Sequence, residues 1–182
     1  AEAVKWIDGK QLIPEGANKP IDIQKFTLSL NQELVLIQTH SKKVWRYETM
    51  GDFYLYNTKT NHLQQIGKTL PASSLQFAKI SPNNQWVGYV SGHNIYVEDW
   101  KTGNRIQLTK DGTKYLINGT FDWAYEEEFF CRDGFRWSPD SKNIAYWQVN
   151  ANGVKNYLMI NNTDSVYPFA VPVEYPIAGE KP

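Results

Sequence analysis

The sequence predicts an all-β chain of repeated antiparallel strand units, and three observations carry that prediction. The aromatic share is 14%, with 7 Trp and 11 Tyr, residue types that favour strands. Short runs alternate apolar and polar residues with the period of two that one-sided burial of a strand requires. A serine-led turn also recurs, at Ser29, Ser81 and Ser138, in steps of 52 and 57 residues. A repeat of about 40–50 residues that holds several short strands is the pattern of β-propeller blades. The length suits about two and a half to three blades of four-stranded antiparallel sheet, and a ring closes only with more. The expected architecture is therefore an open partial β-propeller. A β-sandwich with chance self-similarity is the competing architecture, and the repeated period argues against it.

In chain order, Val4 to Pro20 is broken by Asp8-Gly9, Pro14, Gly16 and Pro20, which suits the tail of a strand and an irregular connection. Phe26, Leu28 and Leu30 then alternate, the chain turns at Asn31-Gln32, and Leu34 to Ile37 returns as a continuous apolar run. An outer strand follows, in which Phe53 and Leu55 alternate with Tyr54 and Tyr56 before a hairpin turn at Thr58-Lys59-Thr60-Asn61. The second copy runs through Leu75, Phe77 and Ile80 to Ser81-Pro82-Asn83-Asn84, and returns through Trp86 to Val90. A turn at Ser91-Gly92-His93-Asn94 leads to Ile95-Tyr96-Val97 and to a further turn at Thr102-Gly103. The third copy has Trp137-Ser138-Pro139-Asp140-Ser141, then Ile144 to Trp147 and Tyr157 to Ile160. Proline fixes φ at the corner and the polar residues after it suit the reversal. The first copy is the weakest, because Leu30 stands where the other two have proline. An open arc leaves strand edges unpaired, so association into a homo-oligomer is expected.

The 182 residues suit one domain, 1–182, and the net charge of zero gives no electrostatic case for nucleic acid or an anionic membrane. No apolar run approaches a membrane span. The single Cys131 excludes an internal disulfide and reads as a buried or half-buried structural thiol. His40, His62 and His93 sit in polar, turn-like surroundings and read as surface residues, with no metal constellation among them. The chain starts at Ala1 and stops at Pro182 after a proline-rich run, and reads as a piece of a larger protein.

From Asn118 to Pro139 the sequence is unusual. Glu126, Glu127 and Glu128 stand between Phe121, Trp123 and Tyr125 on one side and Phe129, Phe130, Phe135 and Trp137 on the other. A bare triple glutamate is ordinarily a solvated face. Aromatics close on both sides fix the carboxylates near the wall of a packed domain, where like charges need a positive partner to stay ionised.

This stretch resembles the dipeptidyl-peptidase IV family, a branch of the prolyl oligopeptidase class of serine peptidases. The family's Asp-Trp-x-Tyr-Glu-Glu-Glu motif reads here Asp122-Trp123-Ala124-Tyr125-Glu126-Glu127-Glu128, and its Trp-Ser-Pro is Trp137-Ser138-Pro139. The likeness extends from about Ile21 to Lys181. It takes in Val44-Trp45-Arg46-Tyr47, Asn94-Ile95-Tyr96-Val97 and Tyr175-Pro176-Ile177-Ala178-Gly179. The resemblance implies a larger parent with an α/β-hydrolase domain and a Ser–Asp–His triad. No Gly-x-Ser-x-Gly elbow occurs in this chain, which contributes no catalytic residue, metal or cofactor by that likeness. The implied substrate is a peptide with a free N-terminus, cleaved after its second residue when that residue is proline or alanine. Glu127 and Glu128 would bind the α-ammonium, and Arg46 a peptide carbonyl near the N-terminus. The implied location is periplasmic, secreted or membrane-anchored with the domain outside the cytoplasm.

By the residues themselves, Asp122 suits the cap of a short helical turn that carries the glutamates. Trp123 and Tyr125 read as anchors of that turn and Glu126 as a hydrogen-bonding or surface partner. The loop after Glu128 varies within the family, so the resemblance gives no role to Cys131, Arg132 or Asp133. Asn118-Gly119-Thr120 and Asn161-Asn162-Thr163 match the glycosylation pattern. Two other functions stay open at this point. One is a propeller that only binds, the nucleophile having been lost; the other is a relative with altered substrate choice, against which the complete glutamate triplet with Arg46 speaks.

Overall fold

Two four-stranded antiparallel meanders follow one another along the chain. The structure, a computed structural model, describes residues 6–163 and 166–180, so Val4 lies outside the described residues. The first meander is Lys25–Leu28 (β1), Leu34–Val44 (β2), Tyr47–Asn57 (β3) and His62–Ile66 (β4). The second is Leu75–Ile80 (β5), Trp86–Ser91 (β6), Asn94–Asp99 (β7) and Arg105–Gln107 (β8). They are blades of a partial β-propeller that does not close, and their cores show why. Period-two alternation sends Leu34 and Leu36 to one face of β2, where they meet Phe53, Leu55, Leu75, Val87 and Tyr89 between the blades. Val35 and Ile37 go to the other face, against Leu12 and Tyr56. A strand buried on both faces is apolar at successive positions, which is why Leu34 to Ile37 has no polar gap.

The third unit is built differently from the expected four-stranded blade. Leu116–Asn118 (β9) and Phe135–Trp137 (β10) pair with Gln148–Asn150 (β12) and Ile144–Tyr146 (β11) respectively. Trp147, between β11 and β12, accepts from Gly119 N–H at 2.9 Å and donates to the Gly134 carbonyl at 2.9 Å. The ladder is thus continuous from β10 to β9 along one strand. Everything from Gly119 to Gly134 leaves the sheet at one point and returns to it, which sets the glutamate helix on the blade as an inserted arm. Asn156–Asn161 (β13) and Phe169–Glu174 (β14) form a separate hairpin. Val90, Ile95 and Phe135 make the core between the second and third units.

The serine turns are the same device three times. Each hydroxyl donates to the side chain two residues on, Ser29 to Asn31 (2.8 Å), Ser81 to Asn83 (2.7 Å) and Ser138 to Asp140 (2.6 Å). Each accepts from the N–H five residues on, of Leu34 (3.0 Å), Trp86 (2.9 Å) and Asn143 (2.9 Å). Gln32, Asn84 and Ser141 each take a left-handed φ, of 59°, 60° and 62°. Neighbouring turns also bond blade to blade, Asn84 Nδ2 to Asn31 Oδ1 at 2.7 Å and Asn83 N–H to the Ser141 hydroxyl at 2.9 Å. Proline is therefore not what defines the turn, and the copy with Leu30 is as well formed as the others. Leu30 is 86% exposed and stands where Pro82 and Pro139 stand. Leu30→Pro is expected to stabilise by about 0.4–1 kcal/mol through the unfolded chain, read as a higher denaturation midpoint. A lower midpoint would show that the first turn differs from the other two at that residue.

Before β1, the expected irregular connection contains a 3-10 helix, Gly9–Leu12. Asp8 accepts from Lys10 N–H, and Gln11 reaches back to Asp8 N–H, a reciprocal cap that outweighs the turn reading of Asp8-Gly9. The helix delivers Leu12 to cover the outer face of β2.

Candidate functional site

Arg46 and Glu127 arrive from separate elements. Arg46 sits with Trp45 at the tip of the β2–β3 hairpin, where Trp45 takes a φ of 54°. Both strands of that hairpin are 11 residues long, and register shifts between Thr39 and Lys43 bend it as it leaves its own blade. Met50 and Gly51 of β3 then pair with β5 of the second blade, which holds the hairpin over its neighbour.

Glu127 sits on the helix Trp123–Phe129 (α1). Asp122 caps it as expected, its carboxylate accepting from Tyr125 N–H at 3.0 Å. Phe130 ends it in the left-handed conformation, φ 57°, with its N–H on the Tyr125 carbonyl. About 100° per residue separates the three glutamates around the axis, so each has its own surroundings. Glu126 points inward and is 4% exposed, Glu127 is half-buried, and Glu128 is exposed. Glu127 Oε2 lies 2.8 Å from Arg46 Nη2, whose side chain is 71% exposed. Glu128 has no ion-pair partner among the described residues. A cavity of about 590 Å³ opens beside the pair, with Trp45 and Trp123 on its wall and Met159, Val171 and Val173 of the last hairpin behind them.

The aromatic flanks divide. Trp123 anchors the helix by packing its ring at a tilt against Tyr175, 5.0 Å between ring centres, and Phe135 is buried in the core. Tyr125 only partly anchors it, packing on Phe121 while remaining exposed. Phe129 and Phe130, among the aromatics expected to fix the carboxylates near the wall of a packed domain, are instead 67% and 71% exposed, at the last residue of the helix and its left-handed cap.

The N-terminal region of dipeptidyl peptidase IV matches residues 29–182 as a family model. The chain belongs to the dipeptidyl peptidase IV family. Among curated relatives, dipeptidyl aminopeptidase B of Saccharomyces cerevisiae is 29% identical over 178 residues, covering 95% of this chain and 21% of that protein. Prolyl endopeptidase FAP of Mus musculus is 28% identical over 172 residues, covering 93% of this chain and 22% of that protein. The crystal structure of Porphyromonas gingivalis dipeptidyl peptidase 4 superposes with a TM-score of 0.81 at 27% identity, over 94% of this chain and 24% of that one. The chain thus spans about a fifth of the length of the curated relatives it matches.

Within this family member the helix also hides a residue that sequence reasoning passes over. Arg132 places Nε 3.6 Å from Glu126 Oε1 and its guanidinium 3.5 Å from the centre of the Tyr47 ring. Burial pushes the Glu126 carboxyl up, Arg132 opposes that push, and Glu127 adds to it. The available signal is the helix itself. An inward glutamate needs a cation, and Arg132 is the first basic residue after it.

One expectation fails behind the helix. His93 is half-buried rather than on the surface, facing a cavity of about 210 Å³ behind α1, and burial holds its pKa down. The hairpin turn that carries it is covered by the β9 arm, whose Asn118 N–H donates to the His93 carbonyl. Asn118 is 0% exposed and its amide donates to Asp111 at 3.0 Å and to the His93 carbonyl at 3.1 Å, so its glycosylation match is a structural asparagine. Cys131 is half-buried with its thiol on the Phe129 carbonyl, as a structural thiol should be. No group of three or more His, Cys, Asp and Glu is placed to hold a metal among the described residues.

Proposed function

We propose that this chain is the substrate-recognition part of the propeller of a serine-type dipeptidyl peptidase, in which Glu127 and Glu128 hold the free N-terminal ammonium of a peptide. The observation that carries the reading is the Arg46–Glu127 pair, 2.8 Å apart at the mouth of a cavity, with Glu128 open beside it. Arg46 and the two glutamates together carry one net negative charge, which one ammonium neutralises. An ammonium has three donors, enough to bond both carboxylates with charge assistance. Arg46, fixed by Glu127, keeps guanidinium donors for a peptide carbonyl. Such a site measures a fixed distance from the N-terminus, so cleavage falls after the second residue. The Ser–Asp–His chemistry and the pocket for proline or alanine reside in a hydrolase domain of the longer protein.

The reading places this domain on the periplasmic, secreted or membrane-surface side; no helix among the described residues is long and apolar enough to cross a membrane. It also makes the protein a homo-oligomer, supported by the exposed Tyr157, Leu158, Met159 and Ile160 along β13.

The test is the pH dependence of inhibition of the full-length protein by a dipeptide product such as Ile-Pro. Between pH 7 and 9.5 ordinary carboxylates and guanidiniums keep their charge, whereas an α-amino group loses its proton near 7.7–8.0, roughly the values of free chains. Only the protonated amine is attracted. The inhibition constant should therefore rise about tenfold per pH unit above roughly 8. An inhibition constant flat across that range contradicts the reading, and binding without turnover would identify a propeller that only binds.

A further inference from the structure

We infer that Arg132 is a positioning residue that sets the spacing of Arg46 and Glu127, an inference that rests on the ammonium reading for its meaning but not for its geometry. The two site residues belong to a hairpin tip and to an inserted helix, which the sheet hydrogen bonds do not join directly. Their mutual ion pair does not hold those elements together. Arg46 is 71% exposed against 13% for Glu127, so solvent screens the pair from the arginine side.

Arg132 supplies the missing link from behind. Its guanidinium lies flat enough on Tyr47 to bring its centre within 3.5 Å of the ring centre, and Tyr47 follows Arg46 in the chain. Its Nε is 3.6 Å from Glu126 Oε1, and Glu126 precedes Glu127. One side chain therefore grips the immediate neighbour of each site residue. The grip is dry on its Glu126 side, while the Tyr47 ring is 39% exposed. The Arg132 side chain is 21% exposed and that of Glu126 only 5%, so the charges are screened far less than at the surface. A cation stacked on an aromatic ring under such conditions is directional, and the planar guanidinium does what an ammonium on a flexible stem does not. Glu126 has a role by the same argument. It is the counter-charge that keeps Arg132 turned toward the helix, and it is not a ligand for the peptide.

The test uses the full-length protein with Arg132→Met, Arg132→Lys and Tyr47→Leu. Two quantities are measured on each variant: the Arg46–Glu127 separation in a crystal structure, and the ratio of kcat/KM for a chromogenic Gly-Pro substrate with a free amine to that for its N-acetylated form. Arg132→Met should part Arg46 and Glu127 beyond about 4 Å, the limit of an ion pair. It should lower the free-to-acetylated ratio about five- to tenfold, between the sizes of an exposed and a desolvated cation–π contact. Tyr47→Leu should do the same, and Arg132→Lys should restore only part of the ratio. Should Arg132→Met fail to fold, Tyr47→Leu and Arg132→Lys carry the same two readouts. An unchanged separation in the folded variants overturns the inference, whatever the kinetics. A parted pair in a protein that never distinguished the two substrates leaves Arg132 as the brace and removes the ammonium reading instead.

Discussion

Replacing Glu127 and Glu128 together by glutamine is expected, on the proposed function, to lower kcat/KM on free-amine dipeptidyl substrates by about a hundred- to a thousandfold, the cost of removing the charge partners from a partly desolvated ion pair. Glutamine keeps the volume of each side chain and one acceptor oxygen, so most of the loss reports charge. Its sign follows from the local balance. The wild-type cluster of Arg46, Glu127 and Glu128 is net negative, while the double variant leaves Arg46 alone and repels the ammonium it should receive. The two single variants should not be equal. Glu127 is half-buried and holds Arg46 at 2.8 Å, so Glu127→Gln frees the arginine as well as losing a contact. Glu128 is exposed, and Glu128→Gln loses its own attraction with less disturbance of its neighbours. Steady-state kinetics on the full-length protein, with the hydrolysis of an ordinary ester as a check that the nucleophile is intact, measures all three.

Gly119→Ala should destabilise the protein by about 2–4 kcal/mol, combining backbone strain with overpacking. Gly119 is the residue at which the chain leaves β9 for the glutamate helix, and its φ is +76°. A Cβ there would stand 2.8 Å from Val90 Cγ2 and 2.9 Å from Ile95 Cγ1. Both are 0% exposed, branched and held in the core between the second and third units, so neither has room to turn away. Nor is the backbone free to shift, since Gly119 N–H donates to Trp147 and its carbonyl accepts from Gly134. Gly16 provides the comparison. Its φ is +79° and a Cβ there would meet nothing within 4 Å, so Gly16→Ala shows the conformational cost alone, about 1–2 kcal/mol. Denaturation midpoints of the two variants separate packing from strain. Equal losses would mean that Val90 and Ile95 give way, and the mount of the helix would then be softer than its packing implies.

What can be read from the chain and what cannot follow a physical division. The serine turns are legible because their chemistry is local: a hydroxyl, an Asn or Asp two residues on, and a reversal, all within six residues. Asp122 is legible as a cap for the same reason. The proline at two of the three turns draws attention to the wrong atom, since the hydroxyl makes the bonds and the proline only favours the corner. The pairing of Arg46 with Glu127 joins two distant segments, and only the family likeness suggests it. Arg132 escapes a sequence reading for two reasons. The resemblance gives the loop that holds it no role, and its contacts, with Tyr47 and Glu126, exist only after the hairpin and helix have met. His93 misleads because a polar turn looks exposed until the β9 arm covers it. Phe129 and Phe130 show the converse, apolar residues that lie in solvent where the helix ends.

The decisive measurement is the kcat/KM of the full-length protein on a chromogenic Gly-Pro substrate and on the same substrate N-acetylated, in the wild type and in Glu127→Gln/Glu128→Gln. The wild type is expected to prefer the free amine strongly, and the double variant to lose that preference along with most of its activity on it. Equal cleavage of both substrates by the wild type would overturn ammonium recognition by Glu127 and Glu128 and leave the three glutamates as a solvated face.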